Sequence, residues 1–199
     1  MYFIEYSTYS IWSIGEHSVM PKKPNDIITL DLKFFDGIPV LWIIDAYTRY
    51  AIGKVLKNKE MEEVVKNVEN EWFPKIRAPT SRIWLNNGKE FANQAMYTLA
   101  KKWDIDIKFK PPYALWNNRL NECSHASADK AVHCYIKDHP KTSLQEAVNH
   151  GAWTHNTNTS KAGFIPMQLM FGTLPKFRTV EDDKEDTIPV NKYLQNIEL

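Results

Sequence analysis

Three polar residues stand where an apolar core does not accept them without partners. Asp31 lies in the middle of Ile27–Phe35, IITLDLKFF, and a buried carboxylate is costly unless it is paired, hydrogen-bonded or bound to a metal. Asn86 follows the apolar run at 82–85 and opens Asn86-Asn87-Gly88, a turn signal. Glu122 lies near the start of a helical stretch, with 35 residues between it and Asn86. Taken alone, each has an ordinary reading. Asp31 suits an exposed acid on an edge strand, with Thr29 and Lys33 on its face. Asn86 suits a plain turn, and Glu122 a solvated helix acid. Taken together they require a strand, the carboxyl end of a second strand and a helix to meet.

The surrounding patterns supply such elements. Apolar, β-rich runs predict strands over 27–35, 40–45 and 50–56, joined by short turns, the first around Gly37 and Pro39; this is the pattern of an antiparallel meander. Met61, Val64, Val65, Val68 and Trp72 recur at helical spacing and predict an amphipathic helix over 59–73. A short strand over 82–85 precedes a helix marked by Phe91, Ala95, Leu99 and Trp103, and a strand over 105–109 is stopped by Pro111 and Pro112. Helices are predicted over 120–136, over 143–155 with Ser143 and Glu146 as a capping box, and over 166–171, where Gly172 ends the turn. The order βββαβαβααα argues for a mixed sheet covered by helices on both faces, a description that several α+β folds share.

Five stretches, in order and in register, resemble the catalytic core of retrotransposon and retroviral integrases. That family carries an acid in its first strand, as Asp31 is here. Its second motif reads S/T/A-D-N-G-x-E-F, and Leu85-Asn86-Asn87-Gly88-Lys89-Glu90-Phe91 matches from Asn87 onward. Its third reads P-x-S-N-G-x-x-E-R-x-H, and residues 113–125 keep Asn118, Glu122 and His125. Ile44-Asp45-Ala46-Tyr47-Thr48-Arg49-Tyr50 is similar to the family's turn between second and third strands. His155-Asn156-Thr157-Asn158, followed by residues 163–172, resembles its closing N-x-x-H-x-x-T-G-x-x-P-x-x-L-x-x-G stretch.

The resemblance implies an RNase H-like α/β fold, with a mixed five-stranded sheet and helices on both faces, and a core spanning 25–175. Residues 1–24 are then a linker or remnant and 176–199 an acidic tail. It further implies Mg²⁺-dependent (or Mn²⁺-dependent) polynucleotidyl transfer in DNA integration. In such a site carboxylates hold two ions about 3.5–4 Å apart, one activating water or a DNA 3′-hydroxyl and the other stabilising the leaving oxygen. Mg²⁺ prefers hard oxygen donors, hence Asp and Glu. The implied ligands are Asp31 as the bridging acid, Glu122, and the residue at 86. The implied DNA contacts are Asn118, Arg119, His125, Lys130 and Trp116, the last as a platform on which a base stacks. The partners are element-end and target DNA, with a second copy of the core, in the nucleus.

At position 86 the chain departs from the family. Asn keeps the shape of Asp but offers one ligating oxygen and no charge, so weaker metal binding and impaired activity are expected. Asp→Asn at 86, Gly→Arg at 119 and Arg→Cys at 123 are each one codon transition from the family pattern, which suits a decaying element copy. The alternative is an integrase-derived domain without catalysis, retained for DNA binding or dimerisation.

Composition sets the outer limits. A chain of 199 residues, 43% hydrophobic and 25% charged, suits one well-buried domain. The net charge of +1 divides into −4 over residues 181–199 and +5 over the rest, a mild basicity compatible with nucleic acid. Cys123 and Cys134 are the only cysteines, so neither a disulfide framework nor zinc-finger spacing is expected, and the default setting is intracellular. No apolar run approaches the ~18 residues of a membrane span.

Overall fold

The structure is a computed structural model that describes residues 20–85, 94–109, 115–158 and 163–174; at 109 and 115–125 it describes the backbone only. Five strands, β1 (Ile27–Phe35), β2 (Ile38–Asp45), β3 (Ala51–Val55), β4 (Arg82–Leu85) and β5 (Asp106–Phe109), form one sheet in the order β3-β2-β1-β4-β5. The meander β1-β2-β3 is antiparallel, whereas β4 pairs with β1, and β5 with β4, in parallel. Asp31 therefore sits on the central strand, not on an edge.

Strand alternation sorts the side chains onto two faces. Ile28, Leu30, Leu41, Ile43, Ile83 and Leu85 face one way. They pack on α1 (Met61–Asn67), on its π-helical continuation Val68–Trp72, and on α2 (Gln94–Trp103). Phe35, Val40, Trp42, Ile44 and Ala51 face the other way. They meet Ala128 and Val132 of α3 (Leu115–Asp138) and Ala147, Val148 and Ala152 of α4 (Leu144–Asn158). A short α5 (Pro166–Phe171) ends at Gly172, whose φ of 75° is the left-handed stop that glycine adopts freely.

Three elements differ from the pattern-based expectation. The helix expected over 59–73 changes to π-helical winding at Val68, where the Phe73 amide bonds the Val68 carbonyl. This continuation still buries Val68 and Trp72, and the Trp72 indole N–H donates to Asn25 Oδ1 at 3.0 Å. The helix expected from residue 120 begins at Leu115. Trp116, Asn118 and Arg119 thus belong to the helix, not to a loop before it: the weak helix propensity of two asparagines is outweighed within a 24-residue helix packed along one side. At α4, Ser143 Oγ caps the Glu146 amide as expected, but the Glu146 carboxylate accepts from the Thr142 hydroxyl.

Edge strand β3 is covered by α4. Asn156 accepts from the Ala51 amide and donates to the Ala51 carbonyl, both at 2.8 Å. Gln145 accepts from the Val55 amide at 2.9 Å and donates to the Gly53 carbonyl at 3.2 Å. Residues 51, 53 and 55 are the alternate positions whose backbone groups point away from β2, so the helix occupies bonds that an incoming strand would use. So close an approach needs small residues. A Cβ at Gly53 would lie 2.4 Å from Val148 Cγ1, and one at Gly151 would lie 2.6 Å from Val132 Cγ2 and 2.8 Å from the Ala128 carbonyl oxygen. Asn156→Ala is expected to lower stability by about 1–3 kcal/mol, because it leaves two buried backbone groups unpaired, and to promote association through the uncovered edge. Urea unfolding with light scattering measures both; an unchanged midpoint would remove this role.

Candidate active site

Asp31 projects from β1 on the face shared with Thr29 and Lys33, directly across from Trp42 of β2. Trp42 belongs to the cluster packed under α3 and α4, so Asp31 faces the α3–α4 layer. It is half-buried. One residue earlier, Leu30 pairs with Leu85 at the end of β4; Asn86, next in sequence, lies outside the described residues.

Two contacts set how α3 runs past Asp31. The Lys33 ammonium pairs with the Asp129 carboxylate, and the Phe35 ring lies 5.6 Å from that of His133. Moving two residues along the strand, roughly 6.6 Å, matches four along the helix, roughly 6 Å, in the same direction. Followed back, the helix axis passes Asp31 near position 125. Position 122, seven residues before Asp129, returns to the same side of the helix within about 20°. The helix that carries Glu122 is therefore on the Asp31 face of the sheet. Asn118, Arg119, His125 and Trp116 share its N-terminal half, and their side chains, like that of Glu122, lie outside the described residues. Lys130 is exposed, about 100° around the helix from Asp129.

The second acid of the meander has a different role. Asp45 is fully buried, and its carboxylate accepts from the Asn25 amide at 3.0 Å and from the Thr48 amide and hydroxyl, both at 2.7 Å. It anchors the β2–β3 turn. Near it, Asp26 ties the start of β1 to β4, accepting from the hydroxyls of Thr80 and Ser81 and from the Lys22 amide. Burial alone would raise the Asp26 pKa, but those bonds and the charge of Lys23 outweigh it and hold the group below its ordinary 3.8.

His155 and Asn156 stood in the sequence as part of a motif with no assigned role. Asn156 caps β3, and His155 is 1% exposed, with Nε2 2.9 Å from the Arg49 carbonyl oxygen and Nδ1 3.2 Å from Ser127 Oγ. The Lys33–Asp129 pair was also not foreseen, although Lys33 shares the Asp31 strand face and Asp129 recurs one heptad after Glu122. Among the described residues, no three of His, Cys, Asp and Glu cluster so as to hold a metal. Among the same residues, no helix is long and apolar enough to cross a membrane.

The sheet order, its mixed pairing and its two helical layers define an RNase H-like α/β fold of the kind found in integrase catalytic cores. Solved structures similar to this chain include retroviral ones. The simian T-cell lymphotropic virus intasome, in complex with PP2A regulatory subunit B56 gamma, aligns with a TM-score of 0.68 at 18% identity over 84% of this chain. This chain spans 63% of that one. The catalytic core domain of BIV integrase aligns at 0.64 and 13% identity, covering 73% of this chain and 93% of its own. The HTLV-2 integrase catalytic core, in complex with magnesium and in trimeric form, aligns at 0.62 and 17% identity, covering 75% and 98%. No family model matches the sequence, and no curated protein matches it.

Proposed function

We propose that this chain is the catalytic core of a retroelement integrase, a Mg²⁺- or Mn²⁺-dependent polynucleotidyl transferase of DNA integration, weakened by Asn86. The observation that carries this reading is Asp31 on the central strand of an integrase-core fold, with the Glu122 helix laid along the same face. The core is residues 25–175, flanked by a remnant at 1–24 and an acidic tail at 176–199. Asp31, Glu122 and the Asn86 carbonyl oxygen would supply a hard, all-oxygen donor set of the kind that suits a divalent ion. Two carboxylates balance the charge of one such ion and fall short for two. When bound, the metal supplies charge stabilisation at the attacking and leaving oxygens of a phosphodiester.

The remaining work belongs to the chain itself. Asp31 projects from the sheet's central strand, where Trp42 borders it on β2. Lys33, two residues further along that face, pairs with Asp129 and holds α3 over the strand. On α3, Asn118, Arg119, His125, Lys130 and Trp116 contact the DNA and set its register. The magnesium of the HTLV-2 core and the multimeric forms of such cores support the metal and a homodimer here by analogy. A second reading, favoured by Asn86 itself, is an integrase-derived domain that binds DNA or dimerises without catalysis. Restoring an acid at position 86 separates the two.

DNA binding is expected to be weak and steeply salt-dependent, because scattered lysines neutralise phosphates without forming a continuous basic stripe. Removing residues 181–199, which carry a net −4, is expected to tighten it. Fluorescence anisotropy with an element-end duplex, across a salt series, measures both. Affinity indifferent to salt and to the truncation would contradict the electrostatic account.

A further inference from the structure

We infer that His155 is a positioning residue for the candidate site, a bridge through a buried ring that fixes how α3 sits over Asp31. This rests on the reading of α3 as the helix that carries a site ligand. The Arg49 carbonyl can only accept, so Nε2 of His155 carries a proton and donates to it at 2.9 Å. In the neutral ring Nδ1 then accepts from the Ser127 hydroxyl at 3.2 Å. One imidazole, 1% exposed, thereby joins α4, α3 and the β2–β3 turn. The turn end of the bridge needs holding, since Arg49 is a non-glycine residue at a φ of 74°.

Among the described residues, the other supports of α3 lie further along it. Gly151 lets α4 close onto Ala128 and Val132, and Lys33 holds Asp129. Ser127 is the first of these anchors among the described side chains of the helix and lies five residues after Glu122. Loss of the bridge frees the segment before it, 118–126, to shift against β1, while the apolar contacts at 128 and 132 keep the rest of the helix in place.

The test titrates Mn²⁺ against the native protein, His155→Phe and His155→Gln well below their unfolding temperatures, and follows amide exchange along α3. His155→Phe is expected to weaken Mn²⁺ binding at least about threefold, short of the ~10–100-fold seen when a group bonded to a ligand is lost. Exchange over 118–126 should speed up, with α1 and α2 unchanged. His155→Gln, whose amide can donate to the Arg49 carbonyl and accept from Ser127, should return both readings toward native. If His155→Phe does not fold, Ser127→Ala removes the α3 end of the bridge and should give the same local exchange. A lower unfolding temperature with unchanged Mn²⁺ affinity and unchanged exchange at 118–126 would make His155 an ordinary core histidine and overturn the inference. Asp31→Asn and Glu122→Gln belong in the same titration. If neither alters Mn²⁺ affinity, the metal-site reading fails by itself, and the exchange measurement still decides the role of His155.

Discussion

Asn86→Asp is expected to raise Mg²⁺-dependent strand transfer about 10²-fold or more over the native sequence, and to tighten divalent-ion binding. The reason is charge. Two divalent ions bring four positive charges, and Asp31 with Glu122 returns two negative ones, leaving DNA phosphate to compensate. The substitution adds a third anion and a second ligating oxygen at one position. Leu30 pairs with Leu85, the residue immediately before position 86. A difference of about 3 kcal/mol in charge stabilisation corresponds to roughly 10²-fold in rate. Rescue will be incomplete if Arg119 and Cys123, both departures from the family pattern on α3, alter the set of Glu122. Strand transfer should be compared for the native sequence, Asn86→Asp, and Asn86→Asp with Glu122→Gln. Robust activity in the native sequence would show that an amide suffices at 86. Activity that survives Glu122→Gln would remove Glu122 from the site.

The second large effect separates two acids that look alike in the sequence. Asp45→Ala is expected to destabilise the fold by about 3 kcal/mol or more, because the buried amides of Asn25 and Thr48 and the Thr48 hydroxyl lose their common acceptor. Asp31→Asn keeps the side-chain shape on a half-buried strand position, and is expected to change stability by less than about 1 kcal/mol while abolishing divalent-ion binding. Urea unfolding and Mn²⁺ titration on both variants form the comparison, with Asp45→Asn as a milder step that keeps one acceptor oxygen. Loss of metal binding in Asp45→Asn at native stability, or a large loss of stability in Asp31→Asn with metal binding intact, would reverse the assignment.

Much of this molecule follows from local patterns. IITLDLKFF has the residues of a strand wherever it pairs, and Met61, Val64, Val68 and Trp72 turn one face of a helix inward at whatever site receives it. Alternation also dictates that Asp31 shares a face with Lys33 and that Leu30 takes the other. The asparagine at position 86, and with it the expected charge deficit, is a property of the sequence alone. These features depend on neighbours a few residues away.

The tertiary structure decided what depends on distant partners. Whether Asp31 stands on an edge or at the centre turns on the pairing of 27–30 with 82–85, more than fifty residues apart in sequence. Asp45 and Asp31 are both acids in apolar strands. Only the approach of Asn25 and Thr48 makes one of them a turn anchor. The side of the sheet that receives α3 was settled by Trp42, Ala128, Val132 and Val148 closing together, with Gly53 and Gly151 leaving the room. His155 and Asn156 read as a motif without a purpose until α4 was laid against β3 and Ser127. Period and propensity act along the chain, whereas burial and hydrogen-bond satisfaction act across it. The same residue type is costly or essential according to what packing brings beside it.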